Sequence, residues 1–503
     1  MKINSIALWL PILFVLTTSN PSYAIFKPDF SRKIGSSVIE NMPILVIMKD
    51  QADLTGAEKF TTKLEKGQYV YDKLRKKALT NQTDLVGVLQ KKGFKFQRFY
   101  IMNMVSVDGA TAELIQEIAA RPDVAKIIGN PTVHVFLSPP AQLELFRFDD
   151  PNAAAGENIM STGAHKVWSD LKVRGEGIVV AGQDTGVDWN HPALHKQYRG
   201  ISATGSVDHS YSWHDAIHQA ITSTTNPCGY NISAPCDDDR HGTHTMGTMI
   251  GNDGATNKIG MAPAAQWIAC RNMDAGTGRP TTYIECFEFF LAPYPQGGNA
   301  LTDGQPAQSP HVINNSWGCP PSEGCEGDEI LPVLQNMKKA GILVVASAGN
   351  DGPTCSTIQD QPADHSEVTF SVGALNHRNG EIAFFSSRGP SRFDGGIGPD
   401  VSAPGVEVRS CVPGGGYEQA QWSGTSMAGP HVVGLIALLW SAKPDLVGQI
   451  EKTANIVRLT SDPKKTAESC GGLSGNNIPN NTYGYGSINA FRAVSSVQMP
   501  FNF

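Results

Sequence analysis

Four short apolar runs constrain the fold of this chain more than any other feature. They are Gly177-Ile178-Val179-Val180-Ala181, His311-Val312-Ile313, Gly341-Ile342-Leu343-Val344-Val345-Ala346 and Val368-Thr369-Phe370-Ser371-Val372. They are rich in β-branched residues and nearly continuous, as strands covered on both faces are. Residues 328–340, between the second and third runs, read as a helix. Apolar strands alternating with helices predict an α/β fold built on a doubly wound, mostly parallel sheet, which binds ligands beyond the carboxyl ends of its strands. The chain has 503 residues, more than the roughly 250–300 at which one core stops growing, so a second folding unit is expected.

That unit precedes the sheet. Residues 41–137 open with strand-like Pro43-Ile44-Leu45-Val46-Ile47-Met48 and continue through a Lys-rich helical stretch over 68–92 and a strand-like run over 94–107. A short helix over 111–120 follows, with Leu114 and Ile118 four apart on one face, and leads into Val124-Ala125-Lys126-Ile127-Ile128. The β-α-β-β-α-β order predicts a small ferredoxin-like α+β domain. Pro139-Pro140 and the polar residues up to about 157 read as a linker. Charge divides along the same line. Up to Asp150 there are 19 Lys+Arg against 15 Asp+Glu, and from Pro151 onward 21 against 32. An acidic larger part is the wrong sign for phosphate, which argues against nucleic acid as its main partner, whereas two oppositely charged units can bind each other.

The N-terminus runs from Met1-Lys2 through an apolar run over 6–16 to Ser22-Tyr23-Ala24. This is the pattern of a secretory signal cut after Ala24; the run is far short of the roughly 20 residues a membrane span needs, and Pro11 interrupts it. No later stretch is long enough to span. A secreted product, off the membrane once the signal is removed, is therefore expected. All nine cysteines lie at or after Cys228, which suits disulfides in an exported protein. Cys228/Cys236 and Cys319/Cys325 are spaced for local staples, and the odd number leaves at least one thiol unpaired. Without a CxxC or HExxH pattern, zinc is disfavoured.

The reactive residues lie in three segments: Gln183-Asp184-Thr185-Gly186-Val187, His241-Gly242-Thr243-His244-Thr245-Met246-Gly247 and Ser423-Gly424-Thr425-Ser426-Met427-Ala428-Gly429-Pro430. Acyl transfer needs this set, since a serine hydroxyl is a weak nucleophile at neutral pH. An imidazole must take its proton, and a carboxylate must hold the imidazole in the right tautomer. Each residue alone has a plainer reading, as turn, core histidine or helix cap. Ser426, however, precedes a stretch over 432–440 that is apolar all round and hence a buried helix, with Pro430 tolerable only in its early turns. Such a helix points its unsatisfied N–H groups at Ser426. The chain order Asp, His, Ser differs from Ser, Asp, His in α/β-hydrolases and from His, Asp, Ser in chymotrypsin-like enzymes. No GxSxG surrounds Ser426, so a lipase or esterase is disfavoured. A non-catalytic binding protein is disfavoured by the intact set.

Over residues 160–495 these three motifs make the chain resemble the secreted subtilisin-like serine endopeptidases, or subtilases (peptidase family S8), and within them the bacillopeptidase F-like branch. The resemblance implies that Asp184 is the acid, His241 the general base and Ser426 the nucleophile of a catalytic triad, with His244 structural. It also implies that Asn350, in Ala346-Ser347-Ala348-Gly349-Asn350, donates to the oxyanion, and that Ser316, Trp317 and Gly318 bind the substrate chain. Trp317 stands where subtilisins often carry a smaller aliphatic residue. The first unit is similar to the family's inhibitor I9-like propeptide.

The implied organisation is a signal peptide over 1–24, a propeptide acting as chaperone and inhibitor over 25–140, a linker with the maturation site over 141–160 and the peptidase domain over 161–503. The expected product is a monomeric secreted endopeptidase, made as a zymogen, that degrades or processes polypeptides and needs no cofactor for catalysis. A structural calcium ion is a family trait whose ligands the sequence does not identify; Asp237-Asp238-Asp239 reads as a solvated loop. Asp351 hints at a preference for basic side chains. No large domain follows Phe491, so no C-terminal targeting module is expected.

Overall fold

The computed structural model describes residues 41–134 and 155–498. The expected signal and the expected cleavage linker lie largely outside the described residues. In the first unit, strand β1 (Met42–Met48) is followed by helices α1 (Lys63–Asn81) and α2 (Thr83–Lys92), the hairpin β2 (Phe96–Phe99) and β3 (Met104–Ala110), helix α3 (Ala112–Ala119) and strand β4 (Val124–Gly129). The strands form an antiparallel sheet in the order β2-β3-β1-β4. The Lys-rich stretch is two helices. Thr62 caps the first through a reciprocal bond with Glu65, and the chain breaks at Gln82, whose buried amide serves Phe99 O and Met104 O.

The second unit is centred on seven parallel strands in the order β14-β13-β12-β11-β6-β8-β7. The four predicted runs are β6 (Val179–Asp184), β11 (Val312–Asn315), β12 (Leu343–Ser347) and β13 (Phe370–Leu375), and each extends past its apolar run toward the carboxyl end. The other three are β7 (Trp213–Asp215), β8 (Gln266–Arg271) and β14 (Val401–Pro404). Their sequences carry Arg271, Asp215 and Pro404 in place of an unbroken apolar run, which is why pattern alone does not reveal them.

Helix α4 (His241–Ile250) and helix α7 (Thr425–Ala442) pack on one face of the sheet; α5 (Pro280–Leu291) and α6 (Leu331–Lys339) pack on the other. Helix α7 is buried along nearly its whole length, and α5 is almost as deeply covered. Four disulfides join Cys228–Cys236, Cys270–Cys286, Cys319–Cys325 and Cys355–Cys470, and Cys411 is a buried free thiol.

The first unit lies across α5 and α6. Glu288 of α5 accepts hydrogen bonds from Tyr100 N at 2.6 Å and Ile101 N at 2.9 Å, and Asn336 of α6 donates to Ile101 O at 2.6 Å. Lys126 pairs with Asp328 at 2.7 Å and Glu326 at 3.3 Å, the sense of attraction that the charge division predicts. Past β4, strand β5 (Val133–His134) pairs antiparallel with β10 (Thr277–Gly278), which in turn pairs with β9 (Met273–Asp274).

Candidate active site

Asp184 is the last residue of β6 and His241 the first of α4, so a strand end and a helix start meet at the carboxyl edge of the sheet. The approach needs glycine. A Cβ on Gly242 would lie 2.1 Å from Gly186 O and 3.1 Å from Asp184 Cβ; one on Gly186, itself at φ +110°, would lie 1.7 Å from Cys236 O.

With that contact made, Asp184 Oδ1 accepts from His241 Nδ1 at 2.7 Å and from Thr185 N at 2.8 Å. Its Oδ2 accepts from Thr245 Oγ1 at 3.3 Å. Both side chains are buried, His241 completely. Burial alone would depress the imidazole, but the Asp184 charge and hydrogen bond, with Asp239 and Asp237 behind them, outweigh it and hold His241 above its usual value. His241 Nε2 is buried with no hydrogen-bond partner among the described residues.

Ser426 is the second residue of α7 and is nearly buried. Pro430 has no N–H to return to the Ser426 carbonyl four residues back; Ser316 Oγ donates to that carbonyl at 3.0 Å instead. Ser426 Oγ donates to Ser316 O at 3.3 Å. The structure therefore ties Ser426 to the segment after β11 and leaves the Ser426–His241 hydrogen bond unmade. Asn350 follows β12, and its Oδ1 accepts from Thr425 N at 2.9 Å and Thr425 Oγ1 at 3.0 Å. This turns the amide nitrogen toward Gly424, where it stands 3.6 Å from the position of a Cβ there.

His244, one turn along α4 from His241, is stacked on Trp422 at 4.1 Å and bonded to Val408 O at 3.0 Å. Burial pushes it far below its usual value, so it is a neutral packing group.

Ser316, Trp317 and Gly318 line a cavity of about 320 Å³ together with Ser347, Asn350 and Ser426. Trp317 is buried, with its ring stacked on Tyr283 at 3.9 Å. Strand β10 is not legible in the sequence, being two residues long with no periodicity to read, although its edge holds β5. Glu323 and Asp360 of the cavity lining are illegible for a related reason: they are ordinary loop carboxylates until the chain folds.

The solvated-loop reading of Asp237-Asp238-Asp239 needs correction. Asp237 accepts from Thr185 Oγ1 at 2.8 Å, Thr243 N at 2.8 Å and Arg240 N at 2.8 Å, and Asp238 is paired with buried Arg271 at 3.1 Å. Only Asp239 is exposed. These acids buttress the start of α4. No group of three His, Cys, Asp or Glu side chains that could hold a metal ion occurs among the described residues.

Residues 175–486 match the subtilase family, peptidase S8. The chain is 34% identical over 453 residues to bacillopeptidase F of Bacillus subtilis (strain 168), across 87% of this chain and 29% of that relative. It is 29% identical over 361 residues to subtilisin E of the same organism, across 71% of this chain and 76% of the relative. To the subtilisin of Bacillus pumilus it is 32% identical over 272 residues, across 54% and 79%. The chain thus spans less than a third of the length of bacillopeptidase F.

Proposed function

Because the chain belongs to the subtilase family of serine endopeptidases, we propose that it hydrolyses peptide bonds of polypeptides through an acyl-enzyme on Ser426. The observation that carries this reading is the buried His241–Asp184 pair, 2.7 Å apart, whose outer nitrogen is left for a substrate-side partner. Rotation of the Ser426 hydroxyl away from Ser316 O delivers its proton to His241 Nε2 as Oγ adds to the scissile carbonyl. Asp184 keeps Nδ1 protonated and stabilises the imidazolium that forms. The carbonyl oxygen, now an anion, takes hydrogen bonds from the Asn350 amide and from the N–H groups at the start of α7, reinforced by the positive end of that helix.

Collapse breaks the C–N bond, and His241 returns the proton to the leaving amine. Water then adds to the acyl group by the same route, giving the acid and free Ser426. Catalysis in this family needs no cofactor, and no step here passes through a metal.

The same reading makes the first unit an inhibitory propeptide. Strand β5 runs on the edge of β10 toward the cavity, and His134 joins its lining, as an extended chain added to a sheet edge would. Residues 1–24 serve as a secretory signal, residues 25–140 as propeptide and residues 141–160 as the cleavage linker of a zymogen whose mature form, residues 161–503, is secreted and monomeric. Intact mass of the full chain and of Ser426→Ala, with and without a fluorophosphonate probe, tests the reading. The expected result is one adduct and loss of an N-terminal fragment in the natural chain, and neither in the variant. An unlabelled, full-length natural chain would favour the binding-protein alternative.

A further inference from the structure

The cavity beside Ser426 is acidic. Glu323, Asp351 and Asp360 line it; among the described residues no lysine or arginine does, and the basic side chain it meets belongs to His134 of the first unit. His134 Nδ1 lies 2.9 Å from Glu323 Oε1, and His134 N donates to Glu323 Oε2 at 3.1 Å. Glu323 sits in the loop closed by Cys319–Cys325, which fixes it at the rim.

Asp360 is held deeper and more firmly. Its segment is tied to the substrate-side segment by Cys319 N donating to Gln361 O at 2.9 Å. Gly318 has no side chain to keep it away: a Cβ there would stand 2.8 Å from Asp360 Cβ and 2.9 Å from Oδ2. A Cβ on Gly349 would stand 3.7 Å from the same Oδ2. Two lining glycines thus open the cavity onto this carboxylate, whose Oδ1 is shut off from solvent with no hydrogen-bond partner among the described residues. A carboxylate oxygen shut off from water without a partner is costly unless something brings it charge or hydrogen bonds.

We infer that this cavity takes a basic side chain, arginine or lysine, from the residue on the acyl side of the cleaved bond, with Asp360 its charge partner at the base and Glu323 and Asp351 at the rim. The inference rests on the peptidase reading, since it assigns the specificity of that site.

Burial first, then the charges of Asp351, Asp364 and Glu323, push Asp360 up to about 7. The other ionisable groups on this wall do not offset it. Arg392 reaches the Gln359 side chain of the lining at 3.2 Å, and burial lowers His365 to about 4, so it is neutral. The charged fraction of Asp360 therefore rises through neutral pH, and a cation in the pocket favours the charged form.

The test uses the full chain after maturation, with peptides that differ only in Arg, Lys, Phe or Leu before the cut, and the fluorophosphonate probe to count active sites. Arg and Lys peptides should have the highest kcat/KM per labelled site, and the Arg-over-Phe ratio should rise from pH 6 to pH 8. Asp360→Asn should reduce that ratio roughly 10- to 100-fold, the range for a hydrogen bond to a charged group, and flatten its pH dependence. Glu323→Gln should lower it by less. Labelled enzyme that prefers Phe or Leu, or an Asp360→Asn ratio equal to the natural one, overturns the inference and leaves the peptidase reading standing. Absence of labelling overturns the peptidase reading and the inference together.

Discussion

At the residue scale, the pH dependence of the proposed reaction is set by which groups face His241. The imidazole works as a base only when neutral. Its environment holds it above the usual histidine value, so kcat/KM should begin to fall at a pH above about 6.5 on the acid side. In Asp184→Asn the largest raising influence is gone, and the acid limb should move down. The rate should drop about 10⁴-fold because the tautomer is no longer held. A pH–rate profile of both proteins checks the sign; an acid limb in the natural enzyme below pH 6 would contradict it. Asp184, His241 and Ser426 are legible in the sequence because each sits in a short segment of small residues whose order is informative. Asp360 is not legible, because its importance comes from two glycines and a missing hydrogen bond supplied by distant parts of the chain.

At the scale of elements, the site depends on how closely α4 approaches the end of β6. Gly242→Ala would drive a Cβ to 2.1 Å from Gly186 O, and backbone cannot yield as a flexible side chain can. The start of α4 should shift away from Asp184, costing about 1–3 kcal/mol, as overpacking does, together with much of the activity. Thermal unfolding and kcat measured side by side check this. Gly87→Ala in α2, where a Cβ meets nothing within 4 Å, should instead leave stability equal or raise it by up to about 1 kcal/mol. The helix α7 is legible from its all-round apolar stretch, and β6, β11, β12 and β13 from their apolar runs. By contrast, β8 contains Arg271, whose buried charge is neutralised by Asp215 at 2.9 Å and by Asp238. A strand that buries an ion pair does not look like a buried strand in one dimension.

For the whole molecule, the two units meet through opposite charges and through Glu288, which satisfies two backbone N–H groups of the first unit. If the first unit restrains the second, Lys126→Glu sets like charges against Asp328 and Glu326 and should hasten the appearance of activity during maturation. Partly exposed pairs are worth about 0.2–1 kcal/mol, so an acceleration of roughly two- to fivefold is expected. It should shrink in 1 M salt, where the screening length is about 3 Å. Time courses of activity at low and high salt distinguish this from a general loss of stability, which salt would not reverse in the same way.

The sequence by itself determined the class of fold and supplied the candidate reactive side chains, because strand burial and helix burial are local properties of neighbouring residues and the candidates sit in short, readable segments. Only the tertiary structure decided which loops wall the cavity, that Asp237 and Asp238 are hydrogen-bonded and ion-paired braces, that β5 lies on the edge of β10, and that Asp360 faces an opening made by Gly318 and Gly349. Those outcomes depend on contacts between residues far apart along the chain, where close approach and desolvation, properties of the packed whole, set the chemistry of each group.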